Sequence, residues 1–244
     1  MSSILFRREP VVEKIGYWDT VRFAADGEFK RRLLLAFDKE AFADLQTGPL
    51  SFPRQTATSL TASSAFGYSG FFMGARKEYV ESFSYYHKHG ESLKYPAEQK
   101  ERLFPVPIPM LPERKKSTRS LDVVIAADFY TLNEKSTQLI ETEINKNKQL
   151  GLKTGLVQMY KYVFDKHKRF SKKMREMIDG KDVQMVVYGE KIDCNVLIVH
   201  SPSVLLERQK YIPKIKTKAA LIIIEETPNM SYNSKVGLSY NLRQ

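Results

Sequence analysis

The chain has 244 residues, of which 42% are hydrophobic and 27% charged, proportions that are ordinary for a folded soluble protein with its own core. The single cysteine, Cys194, excludes an internal disulfide framework, and no apolar run is long enough to cross a membrane. The net charge of +11 at pH 7 predicts attraction to an anionic partner, and because no RNA-binding signature or zinc-finger spacing accompanies it, nucleic acid is the least favoured partner.

Helical patterns dominate the chain before residue 104. Residues 25–37 place Phe29, Leu33 and Ala36 on one side of a predicted helix, and Asp26 lies in its first turn, where a negative charge suits the helix dipole. A second helix is predicted over residues 76–87, which carry aromatic residues on one side. The intervening residues 48–70 are rich in Ser, Thr and Gly and predict a long loop with one short helix in it.

The composition changes at residues 104–119. Four prolines are followed by a basic, polar run, and neither a helix nor a central strand can continue through them. We expect a partly extended linker here. The prediction divides the chain into an N-terminal segment, 1–103, and a second domain, 120–244.

The second domain predicts a parallel sheet. Apolar runs of strand length lie at residues 121–129, 153–160, 183–189, 194–202 and 219–228, and an amphipathic helix over 136–151 ends at Gly151. Continuous Val, Ile and Leu runs separated by helices are typical of a parallel sheet covered on both faces. The sequence therefore predicts an α/β fold, with a helical and loop-rich N-terminal segment joined to a Rossmann-like half-domain.

Two acids open the first predicted helix. Asp26 and Glu28 lie beside small residues, where two carboxylates could share a metal, act as a general base or bind sugar hydroxyls. Their spacing also fits a pair of solvated acids, each joined to a base four residues later, Lys30 and Arg32. The residues alone leave both readings open.

A resemblance bears on these acids. The stretch REPVVEKIGYWDTVRFAADGEFKRRL, residues 8–33, resembles the downstream half of the catalytic core of inverting GT-A glycosyltransferases. Its residues 16–19 stand where that family has Gly-Gly-Phe-Asp, and Ala25 and Asp26 stand where it has Glu-Asp. The resemblance implies that Asp26 is the general base that removes the proton of the acceptor hydroxyl.

The same resemblance implies roles for neighbouring side chains. It gives the positioning of acceptor or diphosphate to a set of polar and aromatic residues: Trp18, Asp19, Arg22, Glu28 and Arg32. Residues 58–87 also resemble the part that follows the catalytic helix in that group, and they end at His87, where some members of the family have a metal ligand.

The second domain resembles a different class, the N-terminal half of a GT-B glycosyltransferase. The resemblance rests on residues 122–159, DVVIAADFYTLNEKSTQLIETEINKNKQLGLKTGLVQM, whose matching positions are 127–129, Ser136, Gly151, Thr154, Gly155 and Gln158. His200 ends a later predicted strand, and because ligands bind at the carboxyl ends of strands in open α/β sheets, it is a candidate acceptor contact.

Both resemblances lack their donor-binding parts. The chain contains no D-x-D motif, which GT-A enzymes use for the nucleotide and its metal. We therefore expect a middle piece of a longer two-module glycosyltransferase that builds a bacterial surface polysaccharide. It would be inactive without a complementary chain, and a nucleotide sugar with Mg²⁺ or Mn²⁺ is expected only in the full-length enzyme.

Two other functions remain open. The first is a non-catalytic basic module that binds an anionic glycan or an anionic lipid surface through its lysines. The second is a small nucleotide-binding α/β protein, which the absence of a G-x-G-x-x-G fingerprint disfavours. The N-terminus lacks the apolar core of a secretion signal, so the expected location is the cytoplasm, with the inner face of the membrane as the alternative.

Overall fold

The structure is a computed structural model that describes residues 4–44, 65–113, 118–160, 168–206 and 208–225, and the backbone alone of 229–232 and 235–238. Most of the predicted loop over residues 48–70, and part of the predicted linker, lie outside these residues. No helix in the described part of the chain is long and apolar enough to span a membrane.

In the described residues, four α-helices precede the sheet: α1 (Arg8–Ile15), α2 (Ala25–Ala36), α3 (Tyr68–Met73) and α4 (Ala75–His89). The two predicted helices are confirmed as α2 and α4. Helix α2 ends one residue early because Phe37 adopts an extended conformation, with φ −122° and ψ 148°. Phe29 and Leu33 on α2 pack against Val11 and Ile15 on α1, so the predicted apolar side of α2 forms a small core.

The second half contains a five-stranded, all-parallel sheet in the order β3-β2-β1-β4-β5. Its strands are β1 (Arg119–Ala127), β2 (Thr154–Gln158), β3 (Val183–Met185), β4 (Lys191–His200) and β5 (Lys214–Ile223). Helix α5 (Glu134–Gln149) follows β1 and α6 (Lys172–Met177) follows β2. A separate antiparallel pair is formed by β6 (Asn229–Tyr232) and β7 (Lys235–Leu238). The predicted α/β class with a parallel sheet is confirmed.

Local sequence explains where α5 begins and ends. The Asn133 side chain caps its N-terminus by accepting a hydrogen bond of 2.8 Å from the backbone N–H of Ser136. Gly151 follows its C-terminus with φ +67°, the left-handed conformation that favours glycine. The end of the helix at Gly151 was predicted from the sequence.

The two faces of the sheet are covered differently. One face packs against helices, because Ile125 and Leu156 share a core with Ile140 on α5, Met174 on α6 and Tyr79 on α4. On the other face the described core contains residues of the strands and of irregular segments, such as Val204. In the described residues, only short segments without an α-helix connect β3 to β4 and β4 to β5, so this face is covered by irregular segments there.

The described part of the predicted linker packs into the protein. Phe104 and Met110 are buried in the core that also holds Tyr79 before the linker and Ile125 after it. The Met110 carbonyl accepts a hydrogen bond of 2.8 Å from the backbone N–H of Arg22. The division into two domains stays a prediction, but these residues join the two halves through a shared core.

Candidate functional site

The chain enters α2 through a strained residue. Ala24 lies directly before the helix in the left-handed conformation, with φ 58° and ψ 12°, which residues with a side chain rarely adopt. Such strain persists only where surrounding contacts impose it, and it is often found at functional sites. It directs the first turn of α2, which carries Asp26 and Glu28.

Glu28 and Arg32 form a buried ion pair. Arg32 Nε lies 2.6 Å from Glu28 Oε1, and Arg32 Nη2 lies 3.0 Å from Oε2. The remaining guanidinium donors bond to the carbonyls of Ile15 (2.6 Å), Tyr17 (2.8 Å) and Leu93 (3.3 Å). Both side chains are completely buried. Glu28 and Arg32 were predicted to contact the acceptor or the diphosphate. In the structure they are buried and their polar atoms bond to one another and to backbone carbonyls, so they are not placed for that contact.

His87 belongs to the same network. Its Nε2 lies 2.9 Å from Glu28 Oε1 and 3.2 Å from the Tyr95 hydroxyl, and its side chain is almost completely buried. Its Nδ1 has no hydrogen-bond partner in the described structure. No group of three or more His, Cys, Asp or Glu side chains in the described residues could hold a metal ion. The residues around His87 thus do not fit the predicted metal site.

Asp19 is also internal. Its carboxylate lies 2.8 and 2.9 Å from Arg102 Nη2 and accepts a hydrogen bond of 2.7 Å from the Tyr79 hydroxyl. Burial raises the pKa of Asp19, and the attraction of Arg102 and the Tyr79 hydrogen bond offset that only in part. Asp19 therefore connects Arg102 to Tyr79 inside the protein, and it is not exposed for the predicted contact with acceptor or diphosphate.

Trp18 and Asp26 are the predicted site residues that face solvent most openly. The Trp18 ring stacks on Phe29 with centroids 4.3 Å apart and an interplanar angle of 7°, yet 41% of Trp18 remains exposed. Asp26 is exposed and precedes Phe29 by three residues, so both lie on one side of α2. Beside it, a Cβ placed on Gly27 would meet nothing within 4 Å. We call Trp18, Asp26 and the open space at Gly27 the α2 surface.

Arg22 lies between the buried and the exposed residues. It is partly buried, its Nη1 is 3.5 Å from the carbonyl of Pro109, and its guanidinium lies 5.2 Å from the centroid of the Phe23 ring. These contacts use only some of its five donors. Arg22 can therefore still reach an anionic group.

The carboxyl ends of the strands carry a second polar cluster. His200, at the end of β4, lies between Glu143 on α5 (Nε2 to Oε2, 2.9 Å) and Glu225 after β5 (Nδ1 to Oε1, 2.5 Å). The Ser136 hydroxyl donates a hydrogen bond to Glu225. Burial lowers the pKa of His200, but the hydrogen bonds to Glu143 and Glu225 outweigh burial, so the pKa is raised. The His200 side chain is completely buried, which blocks the predicted contact with an acceptor.

Asp128 and Gln158, two positions of the GT-B resemblance, meet at the carboxyl ends of β1 and β2. Gln158 Nε2 donates a hydrogen bond of 2.8 Å to Asp128 Oδ1, and Gln158 Oε1 accepts one of 3.1 Å from the backbone N–H of Phe129. These bonds fix the loop after β1. In the described structure they are internal contacts between neighbouring strand ends.

A further charged group lies in the core, and it was not predicted from the sequence. Arg175 on α6 pairs with Glu78 on α4 and lies 3.0 Å (Nη2 to Oε2) from Glu81 one turn later. Burial raises the pKa of Glu78, which the charge of Arg175 offsets only in part. The spacing of Glu78 and Glu81 was visible in the sequence, but their partner lies 97 and 94 residues away. Beside this group is a cavity of about 20 Å³, room for a single water molecule.

Comparisons with models of protein families, with curated proteins and with solved structures found no match for this chain. The function is therefore argued from the side chains and their geometry.

Proposed function

We propose that the chain takes part in glycosyl transfer and that Asp26 is the general base at its acceptor side. The observation that supports this proposal best is the α2 surface, where the exposed Trp18 ring stacks on Phe29 of α2 and the exposed Asp26 lies three residues before Phe29 on the same helix. The resemblance of residues 8–33 to inverting GT-A enzymes points to the same aspartate.

The α2 surface suits an acceptor sugar. One face of the Trp18 indole is covered by Phe29, and 41% of the residue is exposed, which leaves ring surface for a sugar, whose C–H groups pack well on an aromatic face. A hydroxyl of that sugar can then reach Asp26. In the proposed reaction this oxygen attacks the anomeric carbon of a nucleotide sugar, its proton passes to the Asp26 carboxylate, and the nucleoside diphosphate leaves from the opposite side. Arg22 is placed to attract the diphosphate.

The buried network holds this surface in shape. Arg32 bonds to Glu28 within α2 and to the carbonyl of Tyr17, which directly precedes Trp18. One guanidinium therefore fixes both the helix that carries Asp26 and the backbone that carries Trp18. Sites work best when the residues behind them fix their geometry, and this is the role that the structure favours for Glu28 and Arg32.

The described residues offer no set of ligands for Mg²⁺ or Mn²⁺, and the nucleotide sugar is a substrate of the proposed reaction. A complementary glycosyltransferase chain that holds the donor is part of the proposal. We propose that the reaction takes place in the cytoplasm or at the inner face of the membrane and contributes to the synthesis of a bacterial surface polysaccharide.

One observation favours the second candidate, a basic module that binds an anionic glycan or lipid. Lys214, Lys216 and Lys218 alternate along β5, are all exposed, and therefore lie on one face of the sheet. Lys191 is the neighbour of Lys214 on β4 and adds to the same basic row. Such a row attracts phosphates and carboxylates.

Activity tests the first proposal. The purified chain is added to an extract of its host that lacks the chain but retains the other components, and hexose transfer to endogenous polysaccharide is measured. We expect Asp26→Asn to lower the rate about 100-fold or more, because proton transfer by a positioned base contributes that much. Asp38→Asn, a matched change at an exposed acid beyond α2, should leave the rate unchanged. Full activity of Asp26→Asn would refute the role of Asp26.

Fluorescence tests binding at the same surface. Trp18 is the only tryptophan, so its emission reports directly on this site. Neutral oligosaccharides from the host polysaccharide should change the emission of the wild type and of Asp26→Asn alike. No change with neutral glycans, together with salt-sensitive binding to anionic vesicles, would favour the basic module instead.

A further inference from the structure

Strand β5 forms an edge of the sheet but has the composition of an inner strand in its second half. Among the described residues it pairs with β4 alone. From Ala219 to Ile222 every residue is apolar and exposed, and Leu221 and Ile222 are each 52% exposed. Ile224, just after the strand, is 57% exposed. Continuous apolar runs of this kind belong to strands that are covered on both sides.

The first half of β5 is different. Lys214, Lys216 and Lys218 alternate with partly buried residues, as in edge strands that are protected by lysine against pairing with other chains. The protection stops at residue 218. The unprotected edge is therefore confined to the apolar half.

The directions of the apolar side chains limit what can cover them. Leu221 and Ile222 are consecutive, so they point to opposite faces of the sheet. A helix laid on one face would cover only one of them. A strand added alongside β5 would cover both, and it would also bond to the backbone N–H and C=O groups on the outer side of the strand.

We infer that the apolar half of β5 pairs antiparallel with the same half of β5 in a second copy of this chain, around a two-fold axis at Leu221. The lysines support a second copy in this arrangement. Antiparallel pairing around Leu221 places Lys214, Lys216 and Lys218 of each copy beyond the apolar half of the other, so no lysine opposes a lysine. Parallel pairing in register would bring all three lysine pairs together. The result is a two-fold dimer with a continuous ten-strand sheet.

The mass of the wild type tests the inference first. Sedimentation across a range of micromolar concentrations should show a monomer–dimer equilibrium, since the pairing is short. Ile222→Lys extends the lysine protection into the apolar half and should raise the dissociation constant at least tenfold. Leu34→Lys makes the same change at an equally exposed leucine on α2, 53% exposed, and should have no effect. A wild type that stays monomeric, or that grows beyond the dimer, would overturn the inference, because the two-fold contact closes on itself.

Cross-linking tests the register. Residues directly opposite in an antiparallel pair have Cα atoms about 4.5–5.5 Å apart, within the range of a disulfide. Leu221→Cys should therefore give a disulfide-linked dimer under mild oxidation, since the native Cys194 is buried. Lys214→Cys places its two thiols roughly 45 Å apart along the paired strands. Equal cross-linking of the two variants would refute the proposed register, even if the protein dimerises.

Discussion

Arg32 on α2 donates a hydrogen bond of 2.8 Å to the carbonyl of Tyr17, and through it the helix that carries Asp26 is joined to the backbone that carries Trp18. The same guanidinium lies 3.6 Å from the centroid of the Tyr95 ring. Arg32 is fully buried and all five of its N–H donors are bonded, so its loss should affect both α2 and the backbone segments whose carbonyls it bonds.

Replacing Arg32 should destabilise the protein strongly. Arg32→Gln leaves the Glu28 carboxylate buried without its cation, and breaking a buried pair in this way costs about 3–5 kcal/mol in the free energy of unfolding. Arg31→Gln, next to it but exposed, should change that free energy by no more than about 0.5 kcal/mol. Urea denaturation measures both. Similar stabilities for the two variants would show that the buried pair does not hold α2 in place.

Two glycines near the α2 surface should respond to alanine in opposite ways. Gly16 has φ +70°, and a Cβ there would lie 2.0 Å from the carbonyl oxygen of Tyr95. Gly16→Ala should therefore cost at least about 2 kcal/mol. Gly27 lies inside α2 with open space around it, so Gly27→Ala should stabilise the protein by about 0.5–1 kcal/mol. Thermal unfolding of both variants gives the signs, and a destabilising Gly27→Ala would contradict the open geometry.

Local patterns predicted most of the elements. The apolar periodicity predicted α2 and α4, and Gly151 predicted the end of α5. The runs of Val, Ile and Leu predicted the five strands of the parallel sheet, although β5 begins five residues before its predicted run, and β6 and β7 were not predicted. How the second face of the sheet is covered was not predictable in this way. The segments that pack there, such as the one with Val204, have no periodicity of their own and acquire their place from the strands that they connect.

The spacing of charged residues in α2 was insufficient to predict which of its two acids is buried and which is exposed. The spacing of Glu28 and Arg32 predicted an ion pair, and the pair forms, but it is buried because α1 and residues 93–95 close over it. Asp26 and Lys30 have the same spacing, but both are exposed and no ion pair joins them in the described structure. Which of the two acids is buried depends on contacts with residues that are distant in the sequence. A periodic pattern within α2 carries no information about those contacts.

Trp18 should control the binding of the acceptor more than the chemical step. Trp18→Ala removes the proposed platform for the sugar and should raise KM for the glycan about tenfold or more, with a smaller change in kcat. Trp18→Phe keeps a ring on Phe29 and should retain most of the affinity. Asp26→Asn should show the reverse split, with kcat lowered and KM little changed. Initial rates in the host extract give both constants, and a loss of kcat alone in Trp18→Ala would contradict the platform.

His200 should make stability depend on pH. Its pKa is raised in the folded state because Glu143 and Glu225 stabilise the charged ring, with Ser136 bonded to Glu225 from the other side. The stabilisation is therefore complete below the unfolded pKa of about 6.5 and is lost as the pH rises through the higher folded value. At pH 6, His200→Gln should lower the free energy of unfolding by about 1–3 kcal/mol, and the difference from the wild type should shrink at higher pH. His89→Gln, at an exposed histidine, should show no such trend. Denaturation curves at pH 6, 7.5 and 9 decide the matter: a difference that grows with pH would mean that His200 is neutral in the folded protein.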